Sequence, residues 1–258
     1  MAHPGELLRI AAEAAGAAGT VLGECFGRPD PDVRSKTTPT DLVSEADYAA
    51  EEVIRGVLSD RRPEDGMLGE ETGERSGRSG LRWVIDPLDG TVNFLFGIPH
   101  WAVSVACEDA EGAIAGVVAD PLRGETFGAT RDGPATLNGE PISGSDGVTL
   151  DTSLVATGYS YDASVRARQA EVAGRVLPAV RDLRRFGSAA LDLAWTACGR
   201  YDAYYERDLK RWDRIAGALI CRRAGVALRD LPAGAGMPPG LVAAPPALIA
   251  GLEALVSS

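Results

Sequence analysis

The stretch Trp83–Phe94, WVIDPLDGTVNF, decides how the rest of the chain is read. Apolar residues run into Asp86, and Asp89, Gly90 and Thr91 follow. The pattern predicts a strand over Leu81–Ile85 that stops at Asp86, with Pro87 stiffening the turn through its fixed φ. At the sheet end the carboxylates of Asp86 and Asp89 can converge, with the Leu88 carbonyl facing the same spot. Oxygen donors of this kind suit hard cations such as Mg²⁺. Gly90 and Thr91 open a turn whose backbone N–H groups suit phosphate. The plainer alternative is a D-P-x-D-G turn that only caps a strand and starts a helix.

Working outward, Pro4–Phe26 reads as an alanine-rich helix closed by Gly27, and Arg28–Pro39 as a loop or irregular hairpin. Thr40–Val43 is extended, and Ser44 opens a helix with apolar residues at 46, 49, 50, 53, 54, 57 and 58. Met67–Gly69 is a short strand leading into Glu70-Glu71. Thr72–Gly80 is polar and glycine-rich, and is expected to be a mobile loop. Ala102–Cys107, Ala113–Ala119 and Glu125–Ala129 form a strand meander, and Asn138-Gly139 signals a hairpin turn. From residue 151 onward strands and helices alternate: strands at 154–157, 182–186, 202–206, 226–229 and 241–244, helices at 163–180, 188–198, 213–224 and 246–256. This predicts an α+β half over 1–150 and an α/β half over 151–258, joined in one compact unit.

Composition narrows the function. The 258 residues carry a net charge of -11, with 45% hydrophobic and 24% charged residues. A nonspecific nucleic-acid binder needs a basic surface, so no nucleic-acid partner is expected, and an anionic membrane is an equally poor match. No uncharged apolar run is long enough to span a bilayer, and no signal peptide is read, so a cytoplasmic location is expected. Cys25, Cys107, Cys198 and Cys221 form no CxxC pair and read as free thiols. His3 and His100 are the two histidines, a poor supply for either a histidine-based zinc site or a Ser-His-Asp triad, and His100 reads as a packed or turn residue.

Other acids sit where α/β proteins build sites. Asp47 falls in the capping-box-like Ser44-Glu45-Ala46-Asp47, Glu70-Glu71 end a strand, and Asp213 starts a helix after Trp212. Each also has a purely local explanation as a cap or a solvated pair.

Four segments together resemble the inositol monophosphatase family of Mg²⁺-dependent, lithium-sensitive phosphatases. They are KTTPTDLVSEAD (36–47), Gly69-Glu70-Glu71, DPLDGTVN (86–93) continuing through Gly97-Ile98-Pro99, and Trp212-Asp213. The spacing from Gly187-Ser188-Ala189 through Glu206 to Asp213 also fits, so the likeness spans nearly the whole chain. It implies a layered αβαβα sandwich, usually a homodimer, with two to three Mg²⁺ ions. By position, Glu70, Asp86 and the Leu88 carbonyl match the ligands of a first cation, and Asp86, Asp89 and Asp213 those of a second. A third, weaker cation would share Glu70. Thr91 and Asp47 match the pair that orients the attacking water, with Glu70 beside them. Gly90 and Thr91 would give backbone donors to the phosphate, and Asp89 and Asp213 would also count among the substrate-binding residues. Gly187, Ser188, Ala189 and Glu206 would line the polyol side, and Lys36 would act electrostatically.

The implied activity is hydrolysis of inositol-1-phosphate or a similar small phosphomonoester. Cations explain how a histidine-poor acidic chain would do this, since they activate water and neutralise phosphoryl charge without a covalent nucleophile. Rival substrates in the superfamily are histidinol-phosphate, fructose-1,6-bisphosphate and 3′-phosphoadenosine-5′-phosphate. Val92 after Thr91, and Ile98-Pro99-His100-Trp101, look more like the inositol branch than the histidinol branch. Two other classes stand beside catalysis. Some bacterial relatives partner the transcription machinery, and a carboxylate cluster can bind a cation for stability alone. Ser44 replaces the threonine frequent in the family, and 159–185 offers no decodable pattern.

Overall fold

The computed structural model describes residues 3–28, 34–35 and 42–257. Lys36 and the rest of the KTTPTD segment lie outside them, as do residues 29–33 of the expected loop. Helix α1 (Pro4–Cys25) ends at Gly27, whose φ of 77° is the left-handed conformation a glycine terminator supplies. A two-residue ladder, β1 (Arg34–Ser35) with β2 (Leu42–Val43), precedes α2 (Glu45–Arg61). Then come β3 (Gly66–Gly69), β4 (Gly73–Arg75), β5 (Arg82–Asp89) and the short helix α3 (Thr91–Leu95). The meander is β6 (Ala102–Asp109), β7 (Gly112–Asp120) and β8 (Glu125–Thr130), followed by the small hairpin β9 (Thr136–Leu137) and β10 (Glu140–Pro141). The hairpin turns on Asn138 and Gly139, both at positive φ, as a two-residue connection requires. The later elements are β11 (Leu154–Thr157), α4 (Ala163–Val176), β12 (Asp182–Arg184), α5 (Ala189–Ala197) and β13 (Ala203–Arg207). The chain closes with α6 (Arg211–Arg223), β14 (Ala227–Leu231), β15 (Gly240–Ala244) and α7 (Ile249–Ser257).

Two sheets result. The first has the order β10-β9-β8-β7-β6-β5-β3-β4, antiparallel except for the parallel pair β3/β5. The second has the order β12-β11-β13-β15-β14 and is mixed. Alternation along the strands sorts three cores. Trp83, Ile85, Val103, Val105 and Val117 pack under α1 and α2. Val84, Ala106, Val118 and Phe127 face the other way, onto α5 and α6, whose far side meets Ala156, Tyr204 and Ala243 of the second sheet. Val155, Ala203, Tyr205 and Val242 then pack under α4 and α7. The five layers are helix, sheet, helix, sheet, helix, an αβαβα sandwich. Small residues bring the middle layers close: a Cβ on Gly116 would stand 2.9 Å from Ala216 Cα, and one on Gly217 2.6 Å from Leu193 Cβ.

Several expectations need correction. The strand through Trp83 does not stop at Asp86 but runs on to Asp89. The segment 72–80 is not simply a loop. Gly73–Arg75 forms an edge strand on β3, and Arg78 pairs with Glu64 at 2.8 Å, so backbone and ionic contacts order part of it. The helix expected to reach Val180 leaves α geometry after Val176, where Pro178 removes an N–H donor. Asp213 is not an N-cap. It is the third residue of α6, and its carboxylate accepts from the backbone N–H of Lys210 at 2.7 Å.

Candidate active site

The site begins with a register shift. Asp86 pairs with Ser104 and Asp89 with Ala102, so β5 spends three steps where β6 spends two. Residues three apart on a regular strand point to opposite faces; one extra residue puts them on the same face. Pro87, with no N–H to give the ladder, sits in this bulge. Its effect on the apolar side chains is visible, because Ile85 and Leu88 share the core under α1 and α2. Asp86 and Asp89 are thereby turned toward the α5/α6 layer. The Asp86 carboxylate accepts from the Leu88 N–H at 3.1 Å, closing the bulge.

Glu70 arrives from the parallel neighbour β3. Its backbone N–H donates to the Ile85 carbonyl at 3.2 Å, which sets β3 beside β5. The turn after it folds around Glu51, a fully buried carboxylate on α2. Glu51 accepts from the N–H groups of Glu71 (2.8 Å) and Thr72 (3.2 Å) and from the Thr72 hydroxyl, and pairs with Arg55 at 2.7 Å. Gly69 is required there, since a Cβ would lie 2.1 Å from Glu51 Oε1. Asp213 comes from α6 across the layer. Carboxylate oxygens of Glu70, Asp86 and Asp213 lie within 4.8 Å of one another.

Asp89 stands beside this trio and is tied to α5. Its Oδ2 accepts from the Ser188 hydroxyl at 2.5 Å and the Ala190 N–H at 2.7 Å. Ser188 is fully buried and does not line the cleft, so its hydroxyl holds Asp89 in place. Asp47 is also buried and lies outside the cleft wall. One carboxylate oxygen accepts from the Ser44 N–H and hydroxyl at 2.9 and 2.6 Å. The other lies 3.0 Å from the Thr91 hydroxyl, which also has the Leu88 carbonyl at 3.1 Å.

Gly90 has a φ of 102°, and a Cβ there would approach the His100 carbonyl to 3.1 Å and the Gly187 carbonyl to 3.3 Å. Asn93 explains that closeness. Its amide donates to the carbonyls of His100 at 2.8 Å and Phe186 at 2.6 Å, clamping α3 between two turns. Gly187, at φ 89°, sits on the same clamp.

The cleft has a volume of about 580 Å³. Glu70, Asp86, Leu88, Asp89, Gly90, Thr91 and Asp213 line it together with Gly187, Ala189, Glu206, Tyr159, Arg185 and Lys210. Glu206 accepts from the Tyr204 hydroxyl at 2.8 Å.

Burial and crowding of like charges govern the electrostatics. Burial raises the Asp89 pKa to about 6, against the hydrogen bonds from Ser188 and Ala190, and the Glu70 charge adds to the rise. Asp213 is pushed well above the carboxylate range, by burial first and then by Glu70 and Asp89. Glu206 rises to about 7 through burial, with the Tyr204 hydrogen bond and the Arg185 charge opposing. Asp192, on α5, is buried with neither carboxylate oxygen hydrogen-bonded among the described residues, and burial, with the charges of Glu206 and Asp89, pushes its pKa well above the carboxylate range against the Arg185 charge. A cluster of oxygen donors held together against its own repulsion is suited to a hard cation, so the residues present fit Mg²⁺.

The histidine and thiols lie apart from this chemistry. His100 packs on Phe186 and Trp195 with centroids 5.2 and 5.1 Å away, and burial lowers its pKa to about 4, leaving it neutral. All four cysteines are free, and burial pushes the Cys107 thiol up to about 12.

Reasoning from sequence missed Glu51, Asn93, Tyr204 and Arg185. Glu51 left a signal, since it follows Ala50 and precedes Ile54 in the buried stripe of α2, where an acid needs partners. Arg185 left none among the neighbouring arginines 181 and 184.

The model of the inositol monophosphatase family matches residues 3–256. The Nus factor SuhB of Salmonella typhimurium (strain 14028s) is 41% identical over 234 residues, covering 90% of this chain and 87% of that protein. The inositol-1-monophosphatase of Mycobacterium bovis is 40% identical over 254 residues, covering 93% and 88%. The crystal structure of extragenic suppressor protein suhB from Bartonella henselae superposes with a TM-score of 0.90 at 35% identity, covering 98% of this chain and 99% of that one.

Proposed function

Because the chain belongs to the inositol monophosphatase family, we propose that it is a Mg²⁺-dependent phosphomonoesterase acting on inositol-1-phosphate or a similar small polyol phosphate. The observation that carries this reading is the convergence of Glu70, Asp86 and Asp213, with Asp89 beside them, in one open cleft. In the proposal these carboxylates and the Leu88 carbonyl hold two Mg²⁺ ions, with a third, weaker one sharing Glu70. When bound, the ions supply water activation and neutralisation of phosphoryl charge.

The chain's own groups do the rest. Asp47 accepts the Thr91 proton, which leaves a Thr91 oxygen lone pair to accept a hydrogen bond from the attacking water. Ser44 holds the second oxygen of Asp47, so the relay is oriented before substrate arrives. Gly90 and Thr91 bound the phosphate end of the cleft. At the other end Glu206, fixed by Tyr204, accepts hydrogen bonds from substrate hydroxyls. Lys36 keeps its proposed electrostatic role from the family match alone.

Family resemblance also suggests a homodimer, lithium sensitivity and a cytoplasmic location. The exposed Phe96, Ile98 and Phe186 offer apolar surface for pairing, which sedimentation tests. None of the described helices is long and apolar enough to cross a membrane. A second reading, a partner of the transcription machinery, is favoured by the likeness to a protein named Nus factor SuhB. It requires that the protein bind a component of that machinery.

The test is phosphate release from inositol-1-phosphate, histidinol-phosphate, fructose-1,6-bisphosphate and 3′-phosphoadenosine-5′-phosphate, with and without Mg²⁺. Mg²⁺-dependent release, greatest for inositol-1-phosphate, is expected. A different preferred ester would replace the substrate, and no release from any would overturn the catalytic reading.

A further inference from the structure

Among the described residues three cations line the cleft, and two of them are committed. Arg207 donates to the carbonyls of Pro232 (3.0 Å) and Pro238 (2.9 Å), and Lys210 pairs with Asp208 at 3.1 Å. Arg185 is different. Its guanidinium stands over the Tyr159 ring, 5.9 Å from the centroid, and makes no ion pair with a described residue. Gly187 makes the placement possible, because a Cβ there would lie 2.5 Å from Arg185 Nη1. The guanidinium therefore folds back over the residue that leads into α5, on the side of the cleft where Glu206 lies.

The acids near it do not satisfy this charge. The Asp208 carboxylate is taken by Ser160 (2.6 Å) and Lys210. Asp162 accepts from the N–H and hydroxyl of Ser164 at 2.7 and 2.6 Å. Glu206, whose charge acts on Arg185, is held by Tyr204, and the buried Asp192, also within the reach of that charge, makes no ion pair with it. A planar fork of N–H donors, standing over an aromatic ring and making no ion pair with a described residue, is the geometry that receives a carboxylate or phosphate in bidentate fashion.

We infer that Arg185 is a specificity-determining residue, whose guanidinium receives an anionic substituent on the alcohol portion of the phosphomonoester. The inference rests on the phosphatase reading above. It adds that Glu206 and Arg185 divide the alcohol side of the cleft: the carboxylate accepts from hydroxyls, and the guanidinium donates to an anion. Neutral polyol phosphates then use Glu206 alone, and esters with a second negative group use both.

The test compares two esters of nearly equal shape. Glycerol-2-phosphate and 2-phosphoglycerate differ by exchange of one CH₂OH for a carboxylate. Their kcat/KM ratio is measured with Mg²⁺ in the parent protein, Arg185→Gln and Arg185→Lys. Charge-assisted hydrogen bonds of this kind correspond to at least about a tenfold effect. Arg185→Gln is expected to lower kcat/KM for 2-phosphoglycerate about tenfold or more, mainly through KM, and to change glycerol-2-phosphate less than about threefold. Arg185→Lys is expected to recover part of the loss. Inositol-1,4-bisphosphate beside inositol-1-phosphate asks the same of a phosphate substituent. Equal effects on both members of each pair, or none, overturn the inference while leaving the phosphatase reading standing. No turnover of any ester by the parent protein overturns both.

Discussion

Gly69→Ala is the sharpest probe of how the site is assembled. The backbone at Gly69 tolerates a side chain, so any effect comes from contact. The new methyl carbon would stand 2.1 Å from Glu51 Oε1 and 2.5 Å from its Cδ. The Glu51 carboxylate is fully enclosed and cannot swing to solvent; to yield it must give up partners among Arg55, Glu71 N–H, Thr72 N–H and the Thr72 hydroxyl. Loss of two hydrogen bonds to a charged group costs about 3–6 kcal/mol, and the entropic gain of replacing glycine returns about 0.5–1 kcal/mol. A net loss near 3 kcal/mol lowers Tm by about 6–12 °C in a chain of this size. Because the same turn presents Glu70, the Mg²⁺ concentration needed for half-maximal phosphate release should rise as well. Scanning calorimetry and a Mg²⁺ titration read the two effects. Gly56→Ala on the same α2–β3 segment is the control: nothing lies within 4 Å of its Cβ, and a helix gains up to about 1 kcal/mol from the change. If Gly69→Ala melts within about 2 °C of the parent and keeps its Mg²⁺ curve, Glu51 does not build the Glu70 turn.

Three further outcomes are expected. Asp89→Asn should cut Mg²⁺-dependent turnover by more than about a hundredfold with circular dichroism unchanged; retained activity would remove Asp89 from the cation site. The raised Glu206 pKa of about 7 means that the metal-free folded state holds a proton the unfolded chain has released above its ordinary value near 4.5. That contribution is present below pH 4.5 and is lost as pH rises through 7; the Arg185 charge opposes the rise in pKa, and the charges of Asp89 and Asp208 add to it. Glu206→Gln should flatten the fall in urea stability across that window, and an unchanged profile would contradict the burial argument. Cys107→Ser should leave kcat within about twofold, since its thiol sits in the core under α1 and α2; a large loss of activity in a folded variant would contradict the inert-thiol reading.

Much of the architecture is visible in periodicity. The α2 stripe, the β6–β8 meander and the alternation after residue 151 each carry one period over enough residues to settle the element type. The edge strand β4 was hidden because three polar residues carry no alternation, and its pairing with β3 is decided by the neighbour. The five layers are not written in any one element. They follow from which face of each sheet meets which helix, and sequence pattern reports a buried face without naming what buries it.

What the sequence by itself determined is the chemistry available: oxygen donors at Glu70, Asp86, Leu88, Asp89 and Asp213, a shortage of histidine, and free cysteines without metal spacing. These depend on residue type and local order, which the chain states directly. What only the tertiary structure decided is how those donors meet. A one-residue bulge at Pro87 turns Asp86 and Asp89 to the same face, Glu51 folds the turn that presents Glu70, Ser188 turns inward to hold Asp89, and Arg185 stands over Tyr159 with no ion pair to a described residue. Each depends on a contact between residues distant in the chain or on a shift of strand register. Such contacts are set by the packing of whole layers, and a local pattern of residues does not carry that information.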